Sequence, residues 1–131
     1  MLFRSSLSVA LVNLDEGVEY RDHVFNVGWQ VVSKLRISHR FGYVDLYDAE
    51  EARHKVRQGS LAFALIIPKD FSSNAIPGAQ PGGGKLVIYT SEGNNYQTAA
   101  LAKQFAAELG HEVNESLNER RWALEIGRAH V

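Results

Sequence analysis

Apolar residues in this chain fall into four short runs separated by stretches in which they recur every three or four positions, the signature of an α/β fold. The runs cover residues 7–14 (LSVALVNL), 41–47 (FGYVDLY), 61–68 (LAFALIIP) and 85–90 (KLVIYT). The first and third are almost continuously apolar, as strands covered on both faces are, and this predicts central positions in a sheet. The second alternates Tyr43, Asp45 and Tyr47 against Val44 and Leu46, which predicts a half-exposed place nearer an edge. Strand order stays open at this level, although right-handed crossovers favour a mainly parallel sheet.

Between the first two runs, Val24, Val27, Val31 and Leu35 recur at helical spacing, with Phe25, Trp29 and Val32 widening the apolar face. A helix over about 21–36 is expected. Between the second and third, Asp48 precedes Ala49-Glu50-Glu51 as an N-cap and Gly59 supplies a stop, so a short helix is expected over about 49–58. Its Arg53, Lys55 and Arg57 lie toward the C-terminal end, where the helix dipole favours cations. Pro68 to Ser72 begins a turn or a single helical turn, and 77–84 (PGAQPGGG) reads as a flexible connection. From about Asn95 the pattern is helical for some thirty residues, with Leu101, Phe105, Leu109, Val113 and Leu117 at four-residue steps. Such a stripe winds around a straight helix, so only its first half is expected to pack on the sheet, and the polar second half projects as a connector. The predicted architecture is one α/β domain: a mainly parallel sheet of about four strands, flanking helices and a long C-terminal helix.

Composition narrows the function classes. The chain has 131 residues, 45% of them hydrophobic and 22% charged, which is one domain's worth with room for a sizeable core. A formal net charge of −1 with no Lys/Arg block gives no electrostatic reason for a nucleic-acid partner. Absence of cysteine excludes disulfides, thiolate chemistry and Cys-ligated zinc within this segment. No apolar run reaches the roughly 20 residues that span a bilayer, and residues 1–6 are too short for a signal peptide. Residues 125–131 (EIGRAHV) look like the translation of a common sequencing-library adapter running into its stop codon. The expectation is therefore a domain over 1–124, cut from a larger protein, with an artefactual tail over 125–131.

No catalytic residue, metal ligand or cofactor site emerges. The histidines stand at 23, 39, 54, 111 and 130, with no i,i+4 pair and no HExxH arrangement. GxSxG is absent, and Ser72-Ser73 reads as turn capping. Gly82-Gly83-Gly84-Lys85 precedes a strand, whereas a phosphate-binding loop follows one and opens a helix. What remains is a crevice, since residues just beyond strand C-termini in an open α/β sheet line the usual ligand position. Asp15, after the first strand, and Asn94, Asn95 and Tyr96, after the fourth, are the candidate ligand-binding residues, set on one polar rim. Turn chemistry for Asp15-Glu16-Gly17 and helix capping by Asn94 or Asn95 account for the same residues without a ligand.

With these elements placed, four stretches resemble the extracytoplasmic domain of the YhgE/Pip (phage infection protein) family: residues 10–17 (ALVNLDEG), 48–59 (DAEEARHKVRQG), 62–73 (AFALIIPKDFSS) and 91–98 (SEGNNYQT). The resemblance covers about residues 7–118 and rests on the order and spacing of a constellation, not on one motif. It implies a bacterial membrane protein related to the ABC type-2 transporter permeases. There, a first transmembrane helix leads into an extracytoplasmic α/β domain and further transmembrane helices follow. This chain departs from that plan in carrying no such helix, as truncation at both ends produces.

The resemblance further implies a location at the bacterial cell membrane, with this domain periplasmic or extracellular. It implies attachment through helices outside the fragment, and contact with exported substrate, a transporter partner or a second copy. It brings no catalytic residue. Asn13, Asp15, Gly17, Pro68, Lys69, Asp70, Phe71, Asn95 and Tyr96 are the family's recurrent residues here, and all admit structural roles: Pro68 ending a strand, Phe71 plugging the sheet edge, Asp70 capping the turn. The alternative reading is an autonomous α/β module holding a small polar ligand near Asp15. A small enzyme in the same crevice lacks an assembled base, nucleophile or metal.

Overall fold

The computed structural model describes residues 8–38, 41–76, 83–91, 96–116 and 122–129. In chain order the elements are β1 (Ser8–Asn13), β2 (Val18–Tyr20), β3 (His23–Phe25), α1 (Val27–Ser38), β4 (Gly42–Leu46), α2 (Ala49–Arg57), β5 (Phe63–Ile67), α3 (Phe71–Ala75), β6 (Gly84–Ser91), α4 (Tyr96–Ser116) and β7 (Trp122–Ala129). Five strands form one sheet in the order β4-β1-β5-β6-β7, and β2 pairs with β3 in a separate two-stranded ribbon. β1 runs parallel to both β4 and β5, and β6 runs parallel to β7; β5 and β6 are antiparallel. The architecture is thus the mainly parallel α/β domain that the apolar pattern predicts.

The sheet separates two cores. On one face Val31 and Leu35 of α1, Phe71 of α3 and Phe105 and Leu109 of α4 pack on Leu11, Phe63 and Leu86, all of them buried. Edge-on ring contacts join Phe41 to Phe63 and to Phe105 at centroid distances of 5.9 and 5.6 Å. On the other face Ala52 and Val56 of α2 cover Ala10, Val12, Ala64 and Ile66. β1 and β5 are covered on both sides, which is why their sequences are apolar at successive positions rather than alternating. β4 stands at the edge, with Gly42, Val44 and Asp45 exposed and Tyr43 and Leu46 half-buried against the two cores.

α2 follows its local signals closely. Asp48 is extended (φ −134°, ψ 118°) and its carboxylate accepts from the Glu50 amide at 3.0 Å; at the other end Gly59 takes φ +83°, open only to glycine without strain.

Elsewhere the structure departs from the expected element boundaries. The stretch 18–25 is not the beginning of a helix: it forms the β2–β3 ribbon, and α1 starts at Val27. Val24 and Phe25 therefore do not widen a buried helical face; Val24 is 81% exposed and Trp29 65%. Arg21 and Asp22, the two residues between β2 and β3, both take positive φ (54° and 66°), the backbone of a type I′ hairpin turn. Neither residue type favours that conformation as glycine does. Replacing Asp22 with glycine is expected to stabilise the domain by about 0.5 kcal/mol, read as a rise in the thermal midpoint. A fall in the midpoint shows instead that the Asp22 side chain holds the turn.

The C-terminal pattern also divides differently. α4 ends at Ser116, short of the predicted thirty residues, and the chain returns as β7 beside β6. Up to Asn114 the helix stays on the domain: Val113 is fully buried, and the Trp122 indole donates to Asn114 Oδ1 at 3.0 Å; residues 117–121 of the expected connector lie outside the described residues. Residues 125–129, expected from the sequence to lie outside the domain, continue β7 in register with β6. Backbone pairing makes that continuation, which side chains of any origin satisfy; the apolar packing comes earlier, from Trp122 and Leu124.

The registers also fix where the chain enters and leaves the sheet. Ser8 pairs with Gly42 at the start of β4 and Val9 with Phe63 at the start of β5, while Ala64 faces Tyr89 near the end of β6 and Ser91 faces Ala129. Ser8 and Ala129 consequently lie at one end of the sheet. Asn13, Leu46, Ile67 and Gly84 lie at the other.

Candidate functional site

The densest polar arrangement sits beyond the C-terminal ends of β1 and β5, where three elements meet. β1 ends at Asn13, and Asn13 Oδ1 accepts from the Asp15 amide at 3.2 Å, which turns the chain so that the Asp15 carboxylate points inward. Gly17, at φ +76°, closes the turn with its amide 2.9 Å from Asp15 Oδ1. Asp15 is 8% exposed.

Four donors converge on this carboxylate. Oδ1 accepts from the amides of Gly17 at 2.9 Å and Ser72 at 3.2 Å, and Oδ2 accepts from the Gly28 amide at 2.9 Å and the Ser72 hydroxyl at 2.6 Å. Gly28 lies in the first turn of α1 and Ser72 in the first turn of α3, so one side chain serves the exposed amides of two helices and its own turn. The rest of the α1 terminus is completed around it: the Val27 amide donates to Ser72 Oγ at 2.9 Å, and the Trp29 amide donates to Asn26 Oδ1 at 2.8 Å. Asn26 is tied back in turn through Nδ2 to the Asp15 carbonyl at 3.1 Å. A methyl group on Gly28 would lie 2.5 Å from Asn13 Oδ1, so the close approach of α1 to this turn requires glycine there.

Chemically the arrangement is closed. An ionised carboxylate offers about four lone-pair sites, and the protein's own donors fill them, so a ligand reaching Asp15 has to displace a helix amide or the Ser72 hydroxyl. Ser72 is fully buried among the described residues, and its hydroxyl is taken up by the Asp15 carboxylate and the Val27 amide. Among the described residues no group of three or more His, Cys, Asp or Glu side chains is placed to hold a metal ion.

The remaining candidates are not gathered here. Asn94 and Asn95 lie outside the described residues. β6 is antiparallel to β5, so Ser91, where β6 ends, stands at the Ser8 end of the sheet, opposite Asp15; Tyr96 begins α4. The single polar rim expected from Asp15 and residues 94–96 presumed a fourth strand parallel to the others, whereas β6 runs antiparallel to β5. Asp70 also differs from expectation. Its side chain makes no cap hydrogen bond; its carbonyl accepts from the Asn74 amide at 3.0 Å and the Ser73 hydroxyl at 3.0 Å, while Asp15 supplies the carboxylate to α3. Sequence reasoning missed Asn26 and Ser72 as partners of Asp15. The local signal, an asparagine of cap type at position 26, was hidden inside a helix expected over about 21–36, whereas α1 starts at Val27.

No protein-family model matches the chain, and no curated protein matches it. Among solved structures, the fold is similar to the crystal structure of a domain of a protein assigned as an ABC type-2 transporter from Thermotoga maritima MSB8. The TM-score is 0.60 with 18% sequence identity, over 92% of this chain and 86% of that one. At that identity the likeness is one of fold.

Proposed function

We propose that this chain is the extracytoplasmic domain of a bacterial ABC type-2-like permease of the YhgE/Pip kind, a non-catalytic module that contacts exported substrate, a partner protein or a second copy of itself. The observation that carries this reading is the fold, which is similar over 92% of the chain to a domain from a protein assigned as an ABC type-2 transporter. No helix among the described residues is long and apolar enough to cross a membrane, so on this reading those segments belong to the flanking chain. The order of the quoted sequence stretches supports the finer family placement. The saturated carboxylate of Asp15 supports a scaffold role for the turn over the alternative of a small-ligand module, and the buried Ser72 supports the non-catalytic reading.

Two measurements test it. Sequencing the source DNA through both ends of this frame is expected to reveal an apolar run of roughly 20 residues before the first strand and several after the last; polar flanks on both sides overturn the permease reading. The side of the membrane is tested separately. The chain has no cysteine, so a single cysteine placed at Tyr47, which is 81% exposed, becomes a unique reporter in the recovered full-length protein if its flanks add none. A membrane-impermeant maleimide is expected to label it in intact cells, and labelling only after lysis overturns the extracytoplasmic placement.

A further inference from the structure

The geometry points to an oxyanion site on the α2 face of the sheet, where the end of α2 meets Tyr89 of β6, with a phosphate group as its ligand. The site does not depend on the membrane reading above and shares no residue with the Asp15 crevice. α2 carries Arg53 and Arg57 one helical turn apart, and both reach the same ring. Arg57 donates through Nη1 to the Tyr89 hydroxyl oxygen at 3.1 Å, while the Arg53 guanidinium carbon lies over the ring, 5.8 Å from its centroid. Tyr89 itself is only 9% exposed and belongs to the core beneath α2. On the β7 side the ring is bordered by Gly127, the residue in register with it, where a methyl group would lie 3.7 Å from a ring carbon.

Hydrogen bonding and charge separate this cluster from an aromatic ring merely shielded by two long side chains. A phenol oxygen that accepts from an arginine turns its own hydrogen elsewhere, and among the described residues that hydrogen has no acceptor. The Arg57 guanidinium likewise spends one of its five N–H groups on the protein. One cation suffices to hold the ring and its hydroxyl, and a second placed one turn away is repelled by the first. The acid paired with the cluster is Glu50, 3.5 Å from Arg53 with its side chain 66% exposed. Two guanidiniums against one solvated carboxylate leave an excess of about one to two positive charges, which a phosphate of about −1.5 to −2 matches more fully than a carboxylate does. The donors also arrive from two directions, Arg57 beside the hydroxyl and Arg53 over the ring face. A phosphate group offers three acceptor oxygens to them, a flat carboxylate two. The other charges on this face are more distant. Exposed Glu125 of β7 is in register with Val87, about 7 Å along the strand, and Lys85 precedes Tyr89 in β6 by about 13 Å.

Titration of the isotope-labelled chain with inorganic phosphate at constant ionic strength, followed by NMR, tests the site. A saturable shift of the amide signals of Arg57 and Tyr89 is expected, with acetate bound at least about tenfold more weakly. A hydrogen bond to a charged group is worth a factor of about ten or more, so Tyr89→Phe is expected to weaken phosphate binding about tenfold, and Arg53→Gln with Arg57→Gln at least about 100-fold. Lys69→Gln, beyond the other end of β5, is expected to change it by less than about twofold. Tyr89→Phe keeps the ring that packs beneath α2, so weaker binding at an unchanged thermal midpoint separates a lost ligand contact from a damaged fold. Absence of a saturable shift, equal binding of phosphate and acetate, or binding retained in the double arginine variant overturns the inference. Glycerol phosphate distinguishes the source of the ligand. Binding as tight as that of inorganic phosphate supports a phosphate group carried on a larger molecule, and binding of the inorganic ion alone supports free phosphate.

Discussion

Asp15→Asn is expected to lower folding stability by about 3 kcal/mol, and Asp15→Ala by about 3–5 kcal/mol. The asparagine keeps the shape but turns one acceptor oxygen into a donor. Each oxygen of Asp15 now receives two N–H or O–H groups, so the amide NH2 faces either the backbone amides of Gly17 and Ser72 or the Gly28 amide, and only the Ser72 hydroxyl can turn to accept from it. Hydrogen bonds to a charged acceptor are worth about 1.5–3 kcal/mol each. Alanine removes the acceptor altogether and leaves the buried amides of Gly28 and Ser72 facing apolar surroundings, where an unpaired donor costs about 1–3 kcal/mol. Against the 5–15 kcal/mol that holds a typical domain together, either change is large. Denaturant unfolding followed by circular dichroism measures it. Wild-type stability in Asp15→Asn shows that the carboxylate is not the joint between α1 and α3, and returns the crevice beside it to consideration as a ligand site. Pairing Asp15→Asn with Ser72→Ala sharpens the result: the double variant is expected to lose less than the sum of the two, because the hydroxyl and the carboxylate act through one bond.

The second large effect concerns Gly84, where β6 begins. A methyl group added there would lie 2.5 and 2.7 Å from two ring carbons of Phe71 and 2.8 Å from the Phe71 carbonyl oxygen. Phe71 is fully buried in the α1/α4 core, so the ring has little room to turn aside, and the carbonyl belongs to the α3 backbone. Gly84→Ala is expected to cost about 2–3 kcal/mol through overpacking. Adding Phe71→Leu is expected to recover only part of this, since the leucine relieves the ring contact and not the carbonyl. Gly42→Ala provides the contrast: the nearest atom is Ser8 Oγ at 3.6 Å, an ordinary contact, so little change is expected. Comparable losses at Gly42 and Gly84 defeat the packing argument and leave backbone propensity as the cause.

These two sites mark the limits of legibility along the chain. The glycine-rich stretch before β6 reads as a flexible connection, yet its last member is fixed by a phenylalanine from α3, and nothing near Gly84 in sequence announces that ring. Asp15-Glu16-Gly17 reads as a turn, and the turn is there; the same carboxylate's service to Ser72 spans 57 positions and depends on β1 and β5 lying side by side. Val24 and Phe25 fit a helical face by spacing alone, but Asn26, Ser72 and Asp15 together set the start of α1 at Val27, which leaves the preceding residues to the ribbon.

What the sequence by itself determined is what neighbouring residues decide among themselves. Continuous apolar runs specified β1 and β5 as central strands, alternation specified β4 as an edge, and Asp48 with Gly59 bounded α2, because burial pattern and capping act within a few positions of the chain. Tertiary structure alone decided the direction of β6, the end of α4 and the return of the chain as β7. A strand's hydrophobic pattern is the same read up or down a sheet, so its direction is set by which neighbour it pairs with. That one reversal set Ser91, where β6 ends, at the Ser8 end of the sheet, away from Asp15.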